Sequence, residues 1–368
     1  MTTFKEIGKQ LIFLFHLALV IYVATSCGGE ASSDAKEFKL EKIDYKDWEK
    51  LLNIESVVQL QESDSCLMSF AQKCIFTDKC IIFSDNKVKK IYAFSYDGKF
   101  LRQIGSRGHS ASEYMDIADI CMSKNDSTLI VFDWRGMVCY DPDNGKFVER
   151  KKFHSQDYGG YNSIMPVGDS DFICYTDNRN NYSFVLDSPN GQRGLRKSKR
   201  YHFGVNYFYK YDGNIRVISD FGDFYIDNYE DGKLKTLYKI NLGSEALPDD
   251  VLPKTNEEFD AVFNSPEYFK FIGGACETSD WLYLEPCGLK LKNYIAFINK
   301  HSGKYAFGRE YPDLGLGIMG AMDNYFYALI YPEYAEQGSL GRKILEKHNI
   351  TKNSPVVVKL KLNENILQ

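Results

Sequence analysis

Proline is scarce in this chain, with ten in 368 residues, and long apolar runs are scarcer: beyond the N-terminal stretch, none could span a bilayer. Net charge is also thin. A formal charge of −5 argues against a general nucleic-acid binder, which needs a dense basic face. The six histidines are scattered, and none has a metal-ligand partner three or four residues on. No C-x-x-C pair occurs, nor His-Glu-x-x-His, nor Gly-x-Ser-x-Gly, nor a glycine-rich phosphate loop, nor the Ser-x-Asp-x-Gly-x-x-Trp turn of sialidases. Helical periodicity is rare. The chain therefore carries no recognisable catalytic motif and few candidate helices.

Aromatic residues are abundant instead, with 26 Tyr and 25 Phe, a content that suits pleated, half-buried strands. A strand-like run repeatedly ends in a polar, glycine-bearing turn from which a second strand leaves. The turns are Asp97-Gly98, Asn144-Gly145, Asn190-Gly191, Asp231-Gly232 and Ser302-Gly303, with glycines 47, 46, 41 and 71 residues apart. Asn-Gly and Asp-Gly favour tight hairpins because both residues tolerate positive φ. A unit of about 40–50 residues with four short strands is the mark of a β-propeller blade. Blade 2 reads as Ile117–Met122, Thr128–Asp133, Gly136–Tyr140 and Lys146–Phe153. The long step has a visible cause: residues 244–270 hold Pro248, Pro253 and a capping box, Thr255-x-x-Glu258, before Phe259, Val262 and Phe263, which predicts an inserted loop with a short helix. A sixth unit ends with the strand Val356–Leu362 and the turn Asn363–Asn365. Too few residues follow to complete it, so an N-terminal segment, either Phe38–Ile43 or Ser56–Gln61, is expected to supply its outermost strand and close the ring. The fold class is all-β: a six-bladed propeller of four-stranded blades.

The N-terminus has the order of an export signal. Lys5 and Lys9 precede an uncharged stretch from Leu11 to Gly29, and small residues surround a cysteine in Ala24-Thr25-Ser26-Cys27-Gly28-Gly29. This resembles a bacterial lipobox, with Ser26 and Cys27 as the best matching positions and Ala24 a departure. Residues 1–26 are expected to be a lipoprotein signal peptide and residues 27–36 a lipidated Cys27 with a flexible tether; 37–368 form the propeller. An uncleaved anchor and a plain secretion signal are the competing readings. All three place the body outside the cytoplasm. The eight remaining cysteines permit disulfides in an exported protein, but several sit in apolar strand-like runs, where free thiols pack as small hydrophobes.

The stretch Ile91–Tyr114, with Phe100-Leu101-Arg102-Gln103-Ile104-Gly105 at its centre, resembles the six-bladed β-propeller lipoproteins of Gram-negative gut anaerobes, distant relatives of the NHL-type propellers. Their strand is followed by a loop like Gly-x-x-Gly-x-Gly-Pro-Gly-Glu-Tyr. Here Gly105, Gly108, Glu113 and Tyr114 match, while Ser110, Ala111 and Ser112 replace Gly-Pro-Gly. The ending Asn353-Ser354-Pro355-Val356-Val357-Val358-Lys359-Leu360 also resembles the family's last strand. The resemblance implies a fold and a location, and no reaction.

Three features compete as binding surfaces. The loop holding Arg107, His109, Glu113 and Tyr114 lies between two blades, at a face where propeller ligands commonly bind, or else serves only as a connector. A basic run, Arg193, Arg196, Lys197, Lys199 and Arg200, could meet an acidic glycan or lipid headgroups, or be a solvated loop. Aromatic groups around Tyr158–Tyr161 and Tyr201–Tyr209 could stack on sugars, or pack between blades. The expected function is a lipid-anchored binding module of the cell envelope, in the bacterial outer membrane. It would be monomeric, with a glycan, peptide or envelope protein as partner, no nucleic acid and no cofactor. The alternative is a lactonase- or lyase-like enzyme with a metal in the central channel, for which Asp119, Asp171 and Asp220 are candidates. Calcium is the ion such a site would take, although Asp141-Pro142-Asp143-Asn144-Gly145 lacks the further ligands and distant Glu of a calcium loop.

Overall fold

The computed structural model describes residues 35–367 except 64–65, 134, 155–159, 178–179, 200, 204–205 and 311–312. Residues 1–35 and 36–368 are separate units. The signal, Cys27 and nearly all of the tether, as well as Tyr158 and Arg200, lie outside the described residues.

Six sheets follow one another along residues 36–368, each with four antiparallel strands that, in the first five blades, run in sequence order from first to fourth. The first strands are Lys73–Phe76, Asp119–Met122, Tyr161–Pro166, Phe208–Tyr211, Phe271–Glu277 and Gly317–Met322, and neighbouring blades meet through them. This is a six-bladed β-propeller with the first strands innermost. Blade 2 shows the reason for its sequence pattern. Asp119–Met122, Leu129–Asp133 and Gly136–Tyr140 are buried throughout, whereas Phe147–Lys151 on the outside is largely exposed. A blade is covered on both faces by its neighbours, so its inner strands are apolar on both sides instead of alternating. Six apolar clusters accordingly lie between the six pairs of blades; between blades 1 and 2, Ile82 and Ile91 pack with Val131 and Val138. The five expected turn glycines all have positive φ. At Gly98 a second constraint applies, because a Cβ would stand 2.5 Å from the Gln59 carbonyl oxygen.

Of the two segments that could close the ring, the structure selects the second. Leu52–Gln59 pairs antiparallel with Val356–Leu362 as the outermost strand of blade 6. The other segment belongs to a different blade. Lys36–Lys39 pairs in parallel with Lys233–Asn241 and adds a fifth strand to blade 4. The chain between them crosses the outside of blade 5. The Tyr45 amide donates to the Phe307 carbonyl at 3.1 Å, and Gly308 leaves the strap room, since a Cβ there would collide with the Tyr45 carbonyl. Trp48, 1% exposed, then packs in the cluster joining blades 5 and 6. The N-terminal segment thus straps three blades together.

The predicted helix forms at Asn256–Asn264, with the Thr255 hydroxyl accepting from the Glu258 amide at 3.1 Å and the Glu258 carboxylate accepting from the Lys254 amide at 2.6 Å. A second helix, Leu340–Lys347, was not anticipated. It lies between the second and third strands of blade 6, capped by Ser339, with Leu340, Ile344 and Leu345 buried. The eight described cysteines are free thiols, seven of them buried.

Candidate functional site

In an antiparallel blade, the connectors between blades and the turns from second to third strand share one face, and the other hairpin turns share the opposite face. A carboxylate at the end of a second strand repeatedly holds the incoming connector. Asp85 accepts from the Ser69 and Phe70 amides at 2.5 and 2.9 Å, Asp133 from Met115 at 2.9 Å, and Asp220 from Phe203 at 3.0 Å. All three are buried. Such carboxylates satisfy backbone donors that have no strand partner.

The aspartates considered for a channel metal are dispersed among structural roles of this kind. Asp119 takes Lys73 at 2.7 Å, together with the Ser163 hydroxyl and the Ile164 amide, and so ties blades 1, 2 and 3. Asp220 accepts from Tyr175 at 2.7 Å and serves the blade 4 connector. Asp171 closes a hairpin, its carbonyl accepting from the Val167 amide. Among the described residues, no three His, Cys, Asp or Glu side chains gather in a way that would hold a metal ion.

The connector Ile104–Ala118 is held mainly by its own residues and by blade 2. Tyr114 is fully buried against Tyr140, with its hydroxyl donating to the Lys89 carbonyl. Glu113 accepts from the Ser110 amide at 3.0 Å, which lowers its pKa, and its carboxylate packs against Gly108. Arg107 donates to the Met115 carbonyl, while the His109 carbonyl takes Arg135. Neither Tyr114 nor this loop lines the central channel. The basic run falls on the outermost strand of blade 3, Gly191–Lys197. Arg193 donates to the Gly232 carbonyl at 2.5 Å; Arg196 pairs with Asp227 and lies 4.9 Å from the Tyr225 ring; Lys199 bridges Asp223 and Asp249 at 2.7 and 2.9 Å. Blade 4 and its insertion therefore already neutralise much of this charge, and Lys197 remains exposed.

The first strands enclose a channel of about 1410 Å³. Its hairpin end is lined by exposed carboxylates, two of which are paired with Lys79 and Lys210. Within blade 5, Glu277 is buried and fully matched: Arg216 and Lys300 each stand 2.8 Å away, and Tyr238 donates at 3.1 Å. The connector end differs. Glu285 and Glu310 line the channel there with Asn206 and Asn293. Two glycines, Gly273 and Gly274, sit at an irregularity in the first strand of blade 5 and leave space for the Glu285 carboxylate, which would lie 3.0 Å from a Cβ at Gly274. Tyr283 donates to Glu285 Oε1 at 2.5 Å, and Oε2 accepts from no described residue. No cation of the described residues pairs with either glutamate. Burial raises the pKa of both. For Glu310, burial and then the charge of Glu285 push it up to about 7, against a lowering hydrogen bond with Asn293. Glu310 is 8% exposed, while Glu285 is enclosed by protein but reached through the channel. At the mouth, Phe70 stacks on Tyr331 with centroids 5.3 Å apart, and Phe70 and Tyr334 are 51% and 62% exposed.

The profile described as "Domain of unknown function (DUF4934)" matches residues 41–363. The chain belongs to the DUF4934 family. The match takes in all six blades, the closing strand and both channel glutamates, and leaves out the fifth strand of blade 4. Among solved structures, a candidate exported protein of Bacteroides fragilis NCTC 9343, BF0058, superposes with a TM-score of 0.73 at 18% identity, covering 89% of this chain and 99% of its own. A member of the DUF4221 family from Bacteroides vulgatus ATCC 8482 superposes at 0.55 and 11% identity, covering 85% and 99%. These likenesses support the propeller fold. A search of curated proteins finds no match for the chain. Among the described residues, no helix is long and apolar enough to cross a membrane.

The sequence reading missed Glu285, Glu310 and the aromatic rim. A signal was present: Trp281-Leu282-Tyr283-Leu284-Glu285-Pro286-Cys287 sets one carboxylate inside an otherwise apolar strand, where an unpaired charge is costly.

Proposed function

We propose that this DUF4934 propeller is exported and lipid-anchored through Cys27 in the outer membrane, and acts there as a monomeric binding module that receives its partner at the connector-face mouth of the channel. The observation that carries this reading is the mouth itself: an open cavity with exposed Phe70 and Tyr334 at its rim and, inside, the carboxylates of buried Glu310 and half-buried Glu285, for which the described residues supply no cation. Exposed aromatics beside a concave polar site are what small ligands and glycan or peptide ends require. The likeness to a candidate exported protein agrees with the signal-like N-terminus. A glycan and peptide array probed with the wild-type chain and with a Phe70→Ala, Tyr334→Ala double variant tests it. Hits that vanish in the variant support the mouth as the site; hits unaffected by the variant place binding elsewhere and defeat the reading.

A hydrolase or lyase with calcium in the channel is the second reading, favoured by one observation. Glu285, Glu310, Asn206 and Asn293 bring oxygen donors to a single end of the channel, as a hard cation demands. Calcium bound at unit stoichiometry to purified protein, and lost in Glu285→Gln, would favour it over the binding module.

A further inference from the structure

Glu277 and Glu285 stand on adjacent strands of the same blade, yet only Glu277 has cations. Buried carboxylates with a structural role are matched here by cations, as Glu277 is, or by several backbone amides, as Asp85 is, and the described residues give Glu285 neither. Glu285 and Glu310 both line the connector end of the channel, and the described residues offer them only neutral donors, Tyr283 and Asn293. Like charges left together in a poorly solvated site are unfavourable unless a counter-charge arrives. Glu285 Oε2 faces the cavity with no hydrogen-bond donor from the described residues, so one acceptor is already directed at an incoming group.

Resting on the binding-module reading, we propose that Glu285 and Glu310 anchor a protonated amine of a small organic ligand, whose body lies against Phe70, Tyr331 and Tyr334 at the mouth. Three observations favour an ammonium over a metal ion. Only two carboxylates are present, and Glu285 Oε1 is already occupied by the Tyr283 hydroxyl. The channel volume suits a molecule far larger than an ion. The rim is aromatic, and the faces of such rings attract organic cations. An ammonium brings three donors, one of which the unmatched Glu285 Oε2 can accept.

The experiment is calorimetric titration of residues 36–368, the unit that contains every strand and every core cluster. Glucosamine is compared with glucose, and tyramine with 4-ethylphenol; the sugar and aromatic arms separate the two scaffolds that could carry the amine. At least one amine is expected to bind in the millimolar range or tighter, with its uncharged counterpart weaker by about tenfold or more. Glu285→Gln and Glu310→Gln, each close to isosteric, should separately weaken the amine by a similar factor and leave the uncharged probe unchanged. Equal binding of charged and uncharged probes overturns the proposal, as does amine binding that both Gln variants retain, or failure of both amines to bind. Amine binding lost in Phe70→Ala, Tyr334→Ala but kept in both Gln variants would leave the mouth as a binding site and remove the glutamate anchor. Calcium alone binding at unit stoichiometry with Glu285 dependence would also overturn it.

Discussion

Replacing Glu310 by Gln isolates the cost of holding a carboxyl in the channel wall, and the pH at which that cost appears follows from its surroundings. In the unfolded chain the group titrates near 4.5, and in the fold near 7, because burial and the charge of Glu285 both disfavour ionisation. Below pH 4.5 both states are protonated and the difference has no effect. Between about 4.5 and 7 the unfolded chain releases its proton while the folded chain keeps it, so stability falls as pH rises; above 7 the full penalty is present. A displacement of that size corresponds to about 3 kcal/mol. Gln has nearly the shape of the protonated acid and does not titrate. The variant should therefore match the wild type in urea unfolding at pH 4.5, and exceed it by up to about 3 kcal/mol at pH 8. Asp220, raised to about 6 by burial, contributes in the same direction to both proteins and cancels in the comparison. A stability difference that is the same at both pH values would refute the reasoning, since it would mean that Glu310 ionises as freely in the fold as in the unfolded chain. A variant less stable at pH 8 would show that the charged form is held by a partner.

Three further outcomes are expected. Deleting residues 36–60 should open blade 6 and abolish cooperative unfolding, whereas deleting 36–39 removes only the fifth strand of blade 4 and should lower Tm without destroying the fold; circular dichroism melts of the two truncations decide this. Gly308→Ala should push the strap off blade 5 and cost about 1–3 kcal/mol in urea unfolding, and an unchanged midpoint would show that the strap tolerates displacement. Cys27→Ala should move the protein from the membrane fraction to the soluble fraction and abolish fatty-acid labelling, because the lipid chains contribute most of such an anchor's affinity; continued membrane retention would point to an uncleaved helix.

The ring was legible because its information is local and repeated. Asn144-Gly145 specifies a turn from two adjacent residues, and the Leu129–Asp133 run specifies an inner strand from five. Five repetitions of such signals survive the ambiguity of any single one. The ring closure was only half legible. The missing outer strand followed from Val356–Leu362 having no partner downstream, but Phe38–Ile43 and Ser56–Gln61 are both strand-like, and the choice depends on packing distant in sequence. Each segment proved to have a place, on different blades. Helix Leu340–Lys347 was readable in principle from Ser339 and the spacing of Leu340, Ile344 and Leu345, but its eight residues make a short pattern within an apolar, β-rich sequence. Charged residues in a glycine-bearing loop, such as those around Glu113, suggest binding. The same residues also serve to hold an irregular backbone, and the structure puts them to that use.

The channel glutamates show why a site can escape such a reading while the fold does not. Glu277 and Glu285 are eight residues apart, both in apolar strands of blade 5, and nothing near either in sequence distinguishes them. Their difference is decided elsewhere: Arg216, in the second strand of blade 4, reaches Glu277, and so does Lys300 beyond the third strand of blade 5. Glu285 faces the channel, where the neighbouring backbone belongs to Gly273 and Gly274 and none of the described residues supplies it a cation. Partner assignment is a property of the closed ring, since a residue of one blade meets the next only after the strands have stacked. A buried carboxylate therefore counts as structural or available according to a second residue tens of positions away. If the amine proposal holds, supplying a cation from within the protein should disable the site as surely as removing its charge. Asn206→Lys, which places an ammonium beside Gly274 and Glu285, should abolish amine binding while sparing the fold; amine binding that persists in this variant would mean that the two glutamates are not its anchor.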